Sequence, residues 1–98
     1  MKQLKVPKEI EITIDFSDPG LPASVSLFHP VMFQEGNSFC CLLGPDTTQG
    51  IFGCGFTQQE AIEEWDAVLQ ERINSSDEND SVLQYIKSIQ NQSLANVG

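Results

Sequence analysis

Thr57-Gln58-Gln59-Glu60 is the segment that most restricts what this chain can build. A threonine followed three residues later by a glutamate makes a capping box. The Thr57 hydroxyl can accept from the Glu60 amide, and the Glu60 carboxylate can reach back to the amide of Thr57. Two of the amides that a helix start leaves unpaired are thereby satisfied. Behind the box, Ala61, Ile62, Trp65, Val68, Leu69 and Ile73 recur at helical spacing as far as about Asn74. That stripe is the apolar face of a surface helix packed on a sheet. Asn74-Ser75-Ser76 ends it, and a second helix is expected from Asp80 to Gln90, with Val82, Leu83, Ile86 and Ile89 on one face.

The sheet is expected ahead of the helix. Glu9 to Phe16 alternates, with Ile10, Ile12, Ile14 and Phe16 on one face and Glu9, Glu11, Thr13 and Asp15 on a wet one. Asp18-Pro19-Gly20 turns the chain. Val25, Leu27, His29, Val31 and Phe33 share one parity in a second strand, which Pro30 forces to bulge or to lie at an edge. Glu35-Gly36-Asn37-Ser38 reads as a hairpin turn. Phe39 to Leu43 is apolar on both faces, as a central strand is, and a loop follows over 44–50. Ile51 to Phe56 is a short strand in which Gly53 and Gly55 leave room for close backbone approach. Strands followed by helices give an α+β class: a four-stranded, mainly antiparallel meander with one amphipathic helix on one face and a second, C-terminal helix. One domain is expected over residues 1–90, its first eight residues a flexible arm, with a frayed tail over 91–98.

Charge bears more directly on function. The net charge is −9, and three of the five basic residues (Lys2, Lys5 and Lys8) precede the first strand. From Ile10 onward only Arg72 and Lys87 stand against thirteen acids, all but Glu9. Such a surface repels a phosphate backbone, so direct binding to nucleic acid is disfavoured. A basic protein partner drawn in by electrostatic steering fits; acidity that serves solubility fits as well. Cys40, Cys41 and Cys54 have no Cys-x-x-Cys spacing, and adjacent strand residues point to opposite faces, so buried thiols in a reducing compartment are expected. Without an apolar leader or a span of membrane-crossing length, a cytoplasmic protein is expected.

No catalytic, metal or cofactor set emerges. His29 is the sole histidine and shares its parity with apolar positions, which suits a structural role; nothing in the spacing pairs it with a cysteine nucleophile. The glycines at 50, 53 and 55 lack the Lys-Ser/Thr ending of a phosphate loop. The helix carboxylates are more telling. Glu60, Glu63, Glu64, Asp66 and Glu71 have almost no basic neighbour three or four residues away. Like-charged pairs at that spacing cost about 0.2–0.5 kcal/mol each. Only Glu60 and Glu63 recover something from the helix N-terminus. These five are either a solvated outer face or a partner-facing strip.

From Pro45 through Leu69 the chain resembles the N-terminal domain of HicB-type antitoxins. Pro45-Asp46, Gly50, Gly55, Thr57, Glu60 and Ala61 fall in that family's order, behind the strand Phe39-Cys40-Cys41-Leu42-Leu43. The likeness spans roughly residues 27–73. It departs from the family's pattern in a longer Pro-Asp-to-Gly loop, in Phe56 where a small polar residue is usual, in an extra first strand, and in a second helix replacing a short strand. No helix-turn-helix or basic ribbon-helix-helix segment follows. The resemblance implies a non-enzymatic domain that dimerises and covers a small basic RNA-cleaving toxin. It also implies that Asp46 joins Glu60, Glu63, Glu64, Asp66 and Glu71 as candidate partner-binding residues. The alternatives are an acidic inhibitor that imitates nucleic acid and a HicB-like domain of other role.

Overall fold

The computed structural model describes residues 2–75 and 77–95, side chains beyond Asn91 excepted. Its strands, β1 (Glu11–Ile12), β2 (Val31–Glu35), β3 (Ser38–Leu43) and β4 (Ile51–Gly55), form one sheet in that spatial order, every pair antiparallel. Three helices accompany it: α1 (Ala23–Phe28), α2 (Gln58–Asn74) and α3 (Ser81–Ala95). The fold is the expected α+β meander. The β2–β3 hairpin closes at Glu35↔Ser38, with Gly36 taking a positive φ of 57° at the first turn position, where a tight hairpin prefers glycine.

Two strand expectations are corrected. The segment from Val25 is not a strand as far as His29; Ala23–Phe28 is a helix that buries Val25 and Phe28, three residues apart, and exposes Leu27. His29 ends it in the left-handed conformation at φ 54°, its amide bonded to the Val25 carbonyl at 3.0 Å. The ladder of β1 is likewise only two residues long. Continuing the register Glu11↔Phe33 and Ile12↔Met32 would set Ile14 against Pro30, which has no amide hydrogen to offer, and Asp15 against the left-handed His29. Alternation outlives the ladder: Ile12, Ile14 and Phe16 stay half-buried against the core while Glu11, Thr13 and Asp15 face water. Ile10 departs from it, because the Pro7–Ile10 turn carries it to the opposite face of the sheet.

The sheet is covered on both faces. On one side, Met32, Cys41, Leu43 and Ile51 meet Val25, Phe28, Ala61, Trp65, Leu69, Val82 and Ile86 from the helices. On the other, Phe33, Cys40 and Leu42 are buried beneath Val6, Ile10, Val31, Phe52 and Cys54. The first residues help close that second face. The Leu4 amide donates to the Gly44 carbonyl at 2.9 Å, and the Gln3 side chain bonds Leu42 O at 3.3 Å and the Gly44 amide at 3.0 Å. The three-thiol expectation is corrected here too: Cys40 and Cys54, directly opposed in the β3–β4 register, form a disulfide, and only Cys41 is free.

Helix α2 begins where the capping box places it. The Thr57 hydroxyl accepts from the Glu60 amide at 3.0 Å, but the Glu60 carboxylate reaches one residue further than expected, to the Phe56 amide at 2.9 Å. The helix then runs back along β4 at close range. A Cβ added at Gly55 would lie 2.5 Å from the Glu60 Cβ, and one at Gly53 would lie 2.4 Å from the Trp65 nitrogen. At the far end, Arg72 donates to the Gln49 and Gly50 carbonyls at 2.9 and 3.0 Å and pairs with Asp80 at 2.9 Å. Asp80 in turn caps α3, accepting from the Val82 and Leu83 amides, each at 3.1 Å. One guanidinium thus ties together the β3–β4 loop, α2 and α3. Helix α3 runs five residues past the expected end at Gln90, to Ala95; residues 96–98 of the expected tail lie outside the described ones.

Candidate functional site

The six predicted carboxylates do not form one patch, because the fold gives them different work. Asp46 is half-buried in the β3–β4 loop and accepts from the Thr48 and Gln49 amides at 2.9 and 2.6 Å, so it shapes its own loop. Asp66 is half-buried and accepts from the Ser24 hydroxyl of α1. Glu60 secures the start of α2. Glu63, Glu64 and Glu71 are exposed, and the bond from the Gln59 amide group to Glu63 at 3.2 Å is their one side-chain hydrogen bond among the described residues.

Spacing sorts the acids further. Glu60, Glu64 and Glu71 are four and seven residues apart and share one flank of α2, with Glu63 nearer the crest and Asp66 on the flank toward α1. The Glu60–Glu64 flank overhangs the outer edge of β4, where Glu60, Glu63 and Glu64 line a shallow depression together with Cys54, Gly55 and Phe56. Among the described residues Phe56 is the most exposed large apolar side chain, at 76%. It stands just past β4, which ends at Gly55, one residue short of the expected strand end. Among the described residues the single ion pair is Arg72–Asp80, so no cation neutralises this flank.

A second acidic concavity joins the other flank. Asp15, Asp18 and Glu63 rim a groove of about 390 Å³ floored by Ile14, Leu21, Met32 and Ile62. The Ser17 hydroxyl and amide donate to Asp15 at 2.6 and 3.1 Å, and these bonds hold its carboxyl below the usual range. Asp15 and Asp18 lie some forty residues from α2 in the chain, and only tertiary packing brings them beside it.

The three cysteines and the histidine each have a distinct setting. Cys40 and Cys54 are joined, and burial pushes the Cys41 thiol up to about 12. His29 is exposed, with its ring stacked on Phe16 at 4.0 Å. Among the described residues no three metal-ligating side chains come together, and no helix is long and apolar enough to cross a membrane. Comparison with known proteins adds no relative: no family model, curated protein or solved structure matches the chain.

Proposed function

We propose that this chain is a non-enzymatic binding module for a basic protein. The observation that carries the reading is the outward side of α2, where Glu63, Glu64 and Glu71 stand exposed and, among the described residues, form no ion pair. Three like charges held on a rigid helix attract a cationic surface at long range and select against an acidic one. Glu64 and Glu71 make no side-chain hydrogen bond among the described residues and lie beyond the first turn of the helix, so local stability does not account for them. The motif order from Pro45 to Leu69 narrows the partner to a small RNA-cleaving toxin of the kind HicB-type antitoxins cover, with the chain as a homodimer. A cytoplasmic setting goes with the Cys40–Cys54 pair reduced; a closed bond goes with an oxidising one.

Co-purification from the native host, followed by reversal of Glu63, Glu64 and Glu71 to lysine, tests the reading. The wild-type chain retains a basic protein at low salt, and the triple variant loses it. Tight binding that survives the reversal at low salt would remove the acidic helix from the interface.

A further inference from the structure

The last strand of the sheet has a bare side. The narrow Cα separation of Cys40 and Cys54, 4.1 Å, marks a pair that does not exchange backbone hydrogen bonds. Ile51, Gly53 and Gly55 are therefore the residues of β4 bonded to β3, and the backbone N–H and C=O groups of Phe52 and Cys54 point away from the sheet. Among the described residues nothing pairs with those groups. The strand carries no charge and no proline, two features that commonly guard an edge.

Charge decides what can pair there. The row Glu60, Glu64, Glu71 spans about 16 Å along α2, and the five residues of β4 span about 17 Å. The two run side by side, since Gly55 lies under Glu60 and Gly53 under Trp65, while Gly50 is held by Arg72. A strand added at this edge therefore presents alternate side chains to the carboxylate row and the rest to the face of Phe52 and Cys54, with Phe56 exposed at the strand end. A second copy of this chain brings a second acidic row to this edge and is repelled from it, so the proposed homodimer joins through another surface. We infer that β4 is a strand-addition edge whose occupant is an extended segment of a basic protein, with Lys or Arg alternating with apolar residues. The inference rests on the proposed basic partner and gives it a place and a backbone geometry.

A ten-residue peptide alternating lysine and valine, added to the full chain at low salt, is the probe. Binding protects the Phe52 and Cys54 amides from hydrogen exchange, and the variant Glu64→Lys/Glu71→Lys binds about tenfold more weakly; Glu60 is left in place because it secures the helix start. Two N-methylated peptides supply the decisive control, one methylated at every lysine and the other at every valine. Only alternate amides of an added strand face β4, so one of the two loses binding and the other keeps it. Equal affinity of both, or binding that leaves the two amides unprotected, overturns the inference. If the native partner depends on the carboxylates but an excess of peptide does not displace it, the edge assignment falls and the basic-partner reading stands. If the peptide pairs with the edge while no charge-dependent partner exists, the reverse holds.

Discussion

Replacing Gly53 with alanine should loosen the seam between α2 and β4. The added Cβ falls 2.4 Å from the Trp65 nitrogen, 2.7 Å from its Cα and 2.8 Å from the Glu64 carbonyl carbon, whereas ordinary contact begins at 3.4 Å. All three obstacles are helix backbone, so no side chain can rotate out of the way. The helix must lift by about 1 Å, and it carries the buried Ala61, Trp65 and Leu69 with it. Overpacking a core costs about 1–3 kcal/mol, and a rigid obstacle puts this case near 3. With a urea slope near 1.5 kcal/mol per molar, the unfolding midpoint falls by about 2 M. Gly36→Ala is the comparison. It meets nothing within 4 Å and bears only the strain of φ 57°, about 1 kcal/mol, so its midpoint falls by less than 1 M. Equal shifts in the two variants would refute the view that Gly53 is there to admit the helix.

Other expectations concern the tie at Arg72, the thiols and an exposed carboxylate. Arg72→Lys keeps the charge but gives up the planar fork that reaches Gln49, Gly50 and Asp80 together, so thermal unfolding should show a loss of about 1–3 kcal/mol. Cys41, with its thiol pushed up to about 12, should resist alkylation at pH 8 in the folded protein. Unfolding without reductant should release one thiol and unfolding with reductant three; three without reductant would mean that Cys40 and Cys54 are not joined. Ser17→Ala should let the Asp15 pKa rise toward its ordinary value in an NMR titration. Because the folded value is the depressed one, the contribution of Asp15 to stability is present above its unfolded pKa and fades as pH falls through the folded pKa.

Helix α2 and the β2–β3–β4 hairpins were legible because local signals agreed with tertiary placement. The capping box fixed one end of α2, and the stripe Ala61, Trp65, Leu69 is the buried one. Elsewhere the pattern was ambiguous. Val25, Leu27 and Val31 share strand parity, but Val25 and Phe28 also share a helix face, and Pro30 allows the chain to change state between them. The disulfide was hidden because a separation of 14 residues says nothing until the register sets Cys40 opposite Cys54. The acids of α2 could be seen in the sequence, but not their sorting. Ser24 claims Asp66 from a segment read as strand, and Asp46 is occupied by the amides of its own loop. Phe56 and the bare edge of β4 left no periodic signal at all.

An uncharged edge strand ordinarily invites a second copy of the same chain, and here the neighbouring helix acts as the guard. Two copies meeting edge to edge would bring two rows of Glu60, Glu64 and Glu71 close together, a repulsion that salt screens over roughly 8–10 Å at ordinary ionic strength. The same carboxylates attract a lysine-bearing strand, and salt screens that attraction too. The two equilibria must therefore answer salt in opposite directions: self-association should strengthen between about 0.05 and 0.5 M salt while affinity for a basic segment weakens. Sedimentation of the chain alone and titration with the alternating peptide, run in the same buffers, measure both. Parallel trends would mean that the acidic row does not overhang the edge where pairing occurs, and the carboxylates would then have to act from the crest of α2 instead.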